Sequence, residues 1–82
     1  MRVIVLGCGT STGVPTIGCE CPTCVSTHPR NKRTRASIYI EEGQAGVLVD
    51  ASTDLRAQAL AQGIRRVDAV LFTHCHADHV FG

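Results

Sequence analysis

Tryptophan is absent from this 82-residue sequence, and aromatic side chains of any kind are scarce: Tyr39, Phe72 and Phe81 are all there are. A core built on stacked rings is therefore excluded, and the interior must be aliphatic and small. Charge of one sign is lacking too. The formal charge is +1, which gives no bulk argument for a nucleic-acid or anionic-membrane partner. No apolar run approaches the roughly 20 residues of a membrane span. The run at 3–6 is also too short for a signal-peptide core, so the chain reads as cytoplasmic. Its length allows one domain at most, with a modest core. The apolar fraction of 44% is nevertheless too high for a disordered chain.

What is present is concentrated. Three of the four histidines lie in His74-Cys75-His76-Ala77-Asp78-His79. Packing has no use for three imidazoles and a carboxylate in six positions, but a metal does. On an extended chain, His74 and His76 project to the same side. Asp78 and His79 follow where the chain turns and address a neighbouring point. Neutral imidazole with carboxylate suits zinc, with manganese or iron as alternatives. Two adjacent ions can activate water and polarise a phosphoryl or acyl oxygen. A catalytic zinc takes about three protein ligands, so two such ions need more than the four residues offered here.

Five cysteines make a second concentration. Cys19, Cys21 and Cys24 form C-x-C-x-x-C, a spacing that lets three thiolates reach one zinc in a turning loop, as in a closed structural site. In a reducing compartment clustered thiols favour metal over disulfides. His28 is the one nearby histidine, but beside Pro29 it reads better as a surface residue. Cys8 and Cys75 read as packing residues.

Periodicity places these motifs. Residues 3–6 form a buried strand, and residues 7–35, rich in Gly, Pro, Thr and Cys, form a long irregular loop held by something. Residues 37–41 alternate, with Ile38 and Ile40 on one face; 42–46 form a hairpin turn and 47–49 the returning strand. Asp50 ends that strand, either as a turn residue or accepting the free N–H of a ligating histidine. A helix follows, capped by Ser52 with Asp54 in its first turn. Leu55, Ala59 and Leu60 make its apolar stripe, and Gly63 stops it with Ile64 packing back. Residues 69–72 form a buried strand that delivers the histidine cluster at its carboxyl end. The glycines at 7, 9 and 13 miss the dinucleotide and Walker spacings. The basic run Arg30, Lys32, Arg33 and Arg35 reads as a solvated loop, with contact to an anionic substrate the sharper alternative.

These residues together resemble a family. The strand at 69–72 followed by Thr73-His74-Cys75-His76-Ala77-Asp78-His79 resembles the signature of the metallo-β-lactamase superfamily. Gly7-Cys8-Gly9-Thr10-Ser11, the segment Gly18-Cys19-Glu20-Cys21-Pro22-Thr23-Cys24 and Val49-Asp50-Ala51-Ser52 look like its phosphoribosyl cyclic phosphodiesterase branch, with ribonuclease Z more distant. The resemblance implies an α/β fold: the N-terminal portion of an αββα sandwich, mainly antiparallel strands with one helix, as a single incomplete domain over residues 1–82. It implies that His74 and His76 ligate one metal, Asp78 and His79 a second, with Asp50 near the site. It implies a structural zinc on Cys19, Cys21 and Cys24, completed in that branch by a histidine near the C-terminus. The family's remaining metal ligands have no counterpart among these residues.

The expected function is that of a metal-dependent hydrolase acting on a small phosphodiester through a dinuclear site, with the 82 residues alone inactive. Thioester, lactam or RNA hydrolysis on the same ligands, and a non-catalytic zinc-binding module, are the competing readings. Half a sandwich should expose apolar surface and strand edges, and so self-associate or pair with the missing C-terminal part.

Overall fold

A computed structural model describes residues Met1–Gly82. Four strands form one sheet in the order β1-β2-β3-β4: Arg2–Gly7, Ser37–Glu42, Ala45–Val49 and Ala69–Leu71. The first three pair antiparallel, and β4 runs parallel to β3. Gly43 leads the two-residue turn between β2 and β3 with φ 58°, the positive φ that such a tight turn requires. The parallel step needs a crossover, and helix α2 (Leu55–Gln62) supplies it. Gly63 ends α2 in the left-handed conformation, φ 67°, and Ile64 donates its N–H back to Ala59 O at 2.9 Å. No helix is long and apolar enough to cross a membrane.

The register assigns the two sheet faces. Ile4, Tyr39, Leu48 and Val70 are cross-strand partners and share one face. Tyr39, Leu48 and Ala51 form the buried core there, packed by Ile4, Leu6, Leu55 and Ile64. The Tyr39 hydroxyl donates to Arg66 O, and the space that an alanine Cβ at Gly46 would need is taken by that phenol. The opposite face carries Val3, Val5, Ile38, Ile40, Val47, Val49, Ala69 and Leu71 in direct register. Nothing covers it, and Val5 is 61% exposed. The molecule is only 17 Å thick, room for a sheet and one helix layer, since a helix with its side chains is about 10–12 Å across.

Several expectations need correcting. The strand expected to be buried at 3–6 is half exposed, because only one face is packed, and the one expected at 69–72 ends at Leu71 and is exposed at every residue, as the edge strand of the sheet. Ile38 and Ile40 share a face, but the buried β2 side chains are Ser37 and Tyr39. The chain at 7–35 is not irregular throughout. It holds a four-residue helix α1 (Pro22–Val25), a 3-10 turn (Pro29–Asn31) capped by the His28 ring, and bridges from Gly9 to Arg35 and Val14 to Arg33. With α3 (Ala77–Val80), the helices number three, not one.

Helix α2 buries Gln58, not Leu60, which is 65% exposed. The Gln58 amide donates to Thr34 Oγ1 at 3.0 Å and Arg35 O at 2.8 Å, and its oxygen accepts the Ser52 hydroxyl at 2.8 Å. Ser52 is thus committed to this buried network and to the Asp54 N–H. Asp54 occupies the N-cap position, but its carboxylate turns to Arg35 at 2.9 Å.

Candidate metal centre

Strands β3 and β4 are parallel neighbours, so their carboxyl ends open on the same edge of the sheet, the usual place for a site in α/β folds. Asp50 follows β3 in a left-handed conformation, φ 63°, an uncommon backbone for a non-glycine residue. The surroundings hold it there: its N–H donates to Leu71 O at 2.8 Å and its carbonyl accepts the Ser37 hydroxyl at 2.7 Å. Ala51 N–H then donates to His79 O at 2.9 Å, which ties α3 against the end of β3.

This strained turn aims the Asp50 carboxylate at the histidine segment. Oδ1 accepts the Thr73 N–H at 2.8 Å; Oδ2 accepts the Thr73 hydroxyl at 2.8 Å and lies 2.7 Å from His79 Nδ1. Burial works to raise the Asp50 pKa, but the Thr73 N–H, the His79 ring and the Thr73 hydroxyl outweigh it and hold the carboxyl below the ordinary carboxylate range. Asp50 is therefore an ionised acceptor. The ring centroids of His74 and His79 are 4.0 Å apart, and those of His74 and His76 are 4.6 Å apart. The three rings thus lie together and Asp78 joins them through His79, although the chain at 72–76 is irregular rather than strand. Cys75 is exposed, not core, because that irregular segment lies outside the packed face. Cys8 is exposed too, accepting from Arg33 Nη1 at 3.1 Å.

The donor set fits a cation. With Nδ1–H given to Asp50, a neutral His79 keeps its lone pair on Nε2, which faces Asp78 Oδ2 at 3.1 Å. Lone pair against carboxylate is repulsive unless a positive charge lies with them. Two donors of one zinc stand about 3.3 Å apart when tetrahedral bonds are about 2.0–2.1 Å, so this pair is spaced for one ion.

The cysteine cluster is the tightest group of potential ligands. The sulfurs of Cys19, Cys21 and Cys24 lie within 4.8 Å of one another, close to the roughly 3.8 Å edge of a tetrahedron with Zn–S bonds of about 2.3 Å. Cys24 Sγ also accepts the Thr16 N–H at 3.4 Å. The Cys24 N–H and the neighbouring Cys19 and Cys24 thiols pull the Cys21 thiol down to about 7. The Cys21 N–H pulls Cys19 down as well, but its contacts with the Cys24 and Cys21 sulfurs prevail and raise it. His28 is not in the group. Its Nδ1 accepts the Arg30 N–H at 3.1 Å.

The basic run is largely engaged in holding the loop. Lys32 donates to Ser26 O at 2.9 Å, Arg33 to Arg30 O at 2.6 Å, and Arg35 pairs with Asp54. The role of Thr73 is not visible in the sequence. Its only signal was its place immediately before His74, which does not reveal a carboxylate 23 positions away.

Known proteins carry the same arrangement of chain. An octanoyltransferase of Porphyromonas gingivalis is 53% identical over 83 residues, covering 100% of this chain and 17% of the relative. A solved diphosphatase from the PhnP family superposes with a TM-score of 0.94 at 49% identity, over 98% of this chain and 32% of that one. Zinc-bound PqqB from Methylobacterium extorquens superposes with a TM-score of 0.87 at 33% identity, over 100% of this chain and 32% of that one. The chain thus spans about a sixth to a third of the length of these relatives. Residues 30–82 match the family model of the metallo-beta-lactamase superfamily, and it is to this superfamily that the chain belongs.

Proposed function

We propose that these residues form the first part of a metal-dependent hydrolase whose substrate is a small phosphodiester or a related phosphate ester. One observation carries the reading: His79 donates from Nδ1 to the Asp50 carboxylate, which turns its other nitrogen toward Asp78. A dinuclear zinc site, with manganese or iron as substitutes, is the cofactor this arrangement suits. His74 and His76 would hold one ion, Asp78 and His79 the other. Metals held there would supply an activated water at neutral pH and offset charge on the phosphoryl oxygens. The chain's own part is to hold the ligands in register. Asp50 orients His79, and the β3 and β4 ends fix the distance between Asp50 and the cluster. Cys19, Cys21 and Cys24 would bind a separate structural zinc that orders the loop before β2. The similarity to a structure named as a diphosphatase supports phosphate chemistry over acyl chemistry, while the relatives named octanoyltransferase and PqqB leave substrate choice to residues beyond these.

The test uses the full-length protein, a chromogenic phosphodiester and elemental metal counting. Asp78→Ala should lose metal from the histidine cluster and hydrolysis together. Asp50→Asn should weaken metal binding by about 10–100-fold, the range for partners that orient ligating histidines. Hydrolysis by Asp78→Ala at the wild-type rate would sink the proposal.

A further inference from the structure

One hydroxyl links Asp50 to a second imidazole. Thr73 Oγ1 lies 2.8 Å from Asp50 Oδ2 and 2.8 Å from His74 Nδ1. A hydroxyl has a single hydrogen to give. An ionised carboxylate has none and can only accept. The Thr73 proton therefore belongs to Asp50, and the Thr73 oxygen can bind His74 only by accepting. The hydrogen on that side of the ring must then sit on Nδ1, which in the neutral ring leaves the lone pair on Nε2.

We propose that Thr73 is a positioning residue that holds His74 in its Nδ1–H tautomer and relays to it the orienting effect of Asp50. A single carboxylate then governs two rings: His79 directly through Nδ1 at 2.7 Å, and His74 through the threonine hydroxyl. The same Thr73 is pinned by its own N–H to Asp50 Oδ1 at 2.8 Å, so its side chain is placed from both ends. The consequence for metal binding rests on the reading above, in which Nε2 of His74 is a ligand atom. The tautomer itself does not depend on that reading.

The test is made on the metal-free full-length protein at a pH where the rings are neutral, with nitrogen-15 chemical shifts of the imidazoles. His74 should show a protonated Nδ1 in the wild type. Thr73→Val, which keeps the shape and removes the hydroxyl, should return the ring toward the Nε2–H form favoured by free histidine. The same variant should bind zinc at the histidine cluster about 10-fold more weakly or worse, as expected for loss of a ligand-orienting partner. Thr73→Ser should restore both the tautomer and the affinity. An Nε2–H ring in the wild type overturns the proposal, and that measurement decides it even if Thr73→Val fails to fold. Unchanged zinc affinity in a folded Thr73→Val protein also overturns the positioning role. If the wild type binds no zinc at the cluster, the metal assignment fails separately, and the tautomer measurement still stands on its own.

Discussion

Cys21 shows how a single residue acquires reactivity from its neighbours. An ordinary thiol is mostly protonated at neutral pH, but the Cys24 N–H and the two adjacent thiols lower Cys21 to about 7, and the residue is exposed. The thiolate is the nucleophile, so Cys21 should be alkylated by iodoacetamide ahead of Cys19 and Cys24 in metal-free protein. Its rate should rise with pH through a midpoint of about 7. Zinc should suppress the reaction at all three, read by mass spectrometry of the peptide carrying them. Asp68 titrates with consequences for stability instead. Gly46 N–H, 2.7 Å from Oδ2, and Arg66, 2.7 Å from Oδ1, hold its carboxyl below the ordinary carboxylate range, against a smaller contribution from burial. A depressed pKa contributes stability above the unfolded pKa and loses it as pH falls through the folded one. Asp68→Asn should therefore be less stable than wild type at pH 7, and urea titrations should show the difference shrinking toward zero as pH falls below the carboxylate range.

Among the elements, α2 separates what the sequence shows from what it hides. Its end was legible: Gly63 in the left-handed conformation and Ile64 folded back are local chemistry. Its buried face was not, because Gln58 is polar and its partners Thr34, Arg35 and Ser52 come from other segments. A hydrophobic pattern points to Leu60, but burial follows the hydrogen-bond network instead. Three strands were legible as short apolar runs and β2 by alternation, yet alternation in β2 did not say that Ser37 and Tyr39 are the buried side chains while Ile38 and Ile40 face away. The histidine cluster was legible as a motif, since all of its members lie within six positions. The contact from Asp50 to His79 spans 29 positions, and only the pairing of β3 with β4 creates it. Gln58→Leu tests the network directly. It strands the Ser52 hydroxyl hydrogen and Arg35 O, while Ser52 Oγ keeps the Asp54 N–H and Thr34 keeps Leu6 O, in a site that is 0–3% exposed at Ser52 and Gln58. Each stranded buried group costs about 1–3 kcal/mol, so a loss of about 2–4 kcal/mol in chemical denaturation is expected. Leu60→Gln, exposed on the same helix, should change stability by less than about 0.5 kcal/mol.

For the molecule as a whole, the uncovered sheet face is the dominant feature. Eight aliphatic positions in direct register make it continuous across all four strands, whereas monomeric proteins rarely leave broad apolar patches in water. The relatives are three to six times as long as the matched segment. We propose that further chain of the full-length protein covers this face, and that the 82 residues alone pair through it. Leu71 is the informative position, because it lies on β4 and is 57% exposed. In the 82-residue chain Leu71→Lys replaces an exposed side chain, so it should shift stability by no more than about 0.5 kcal/mol and convert any self-associated species to monomer by light scattering. In the full-length protein the same change removes a buried leucine worth about 1.5–3 kcal/mol and adds the cost of burying a charge, so its melting temperature should fall sharply. Equal small effects in both chains would mean that the face stays open to water in the complete protein. In that case its role would have to be sought in a partner rather than in the fold.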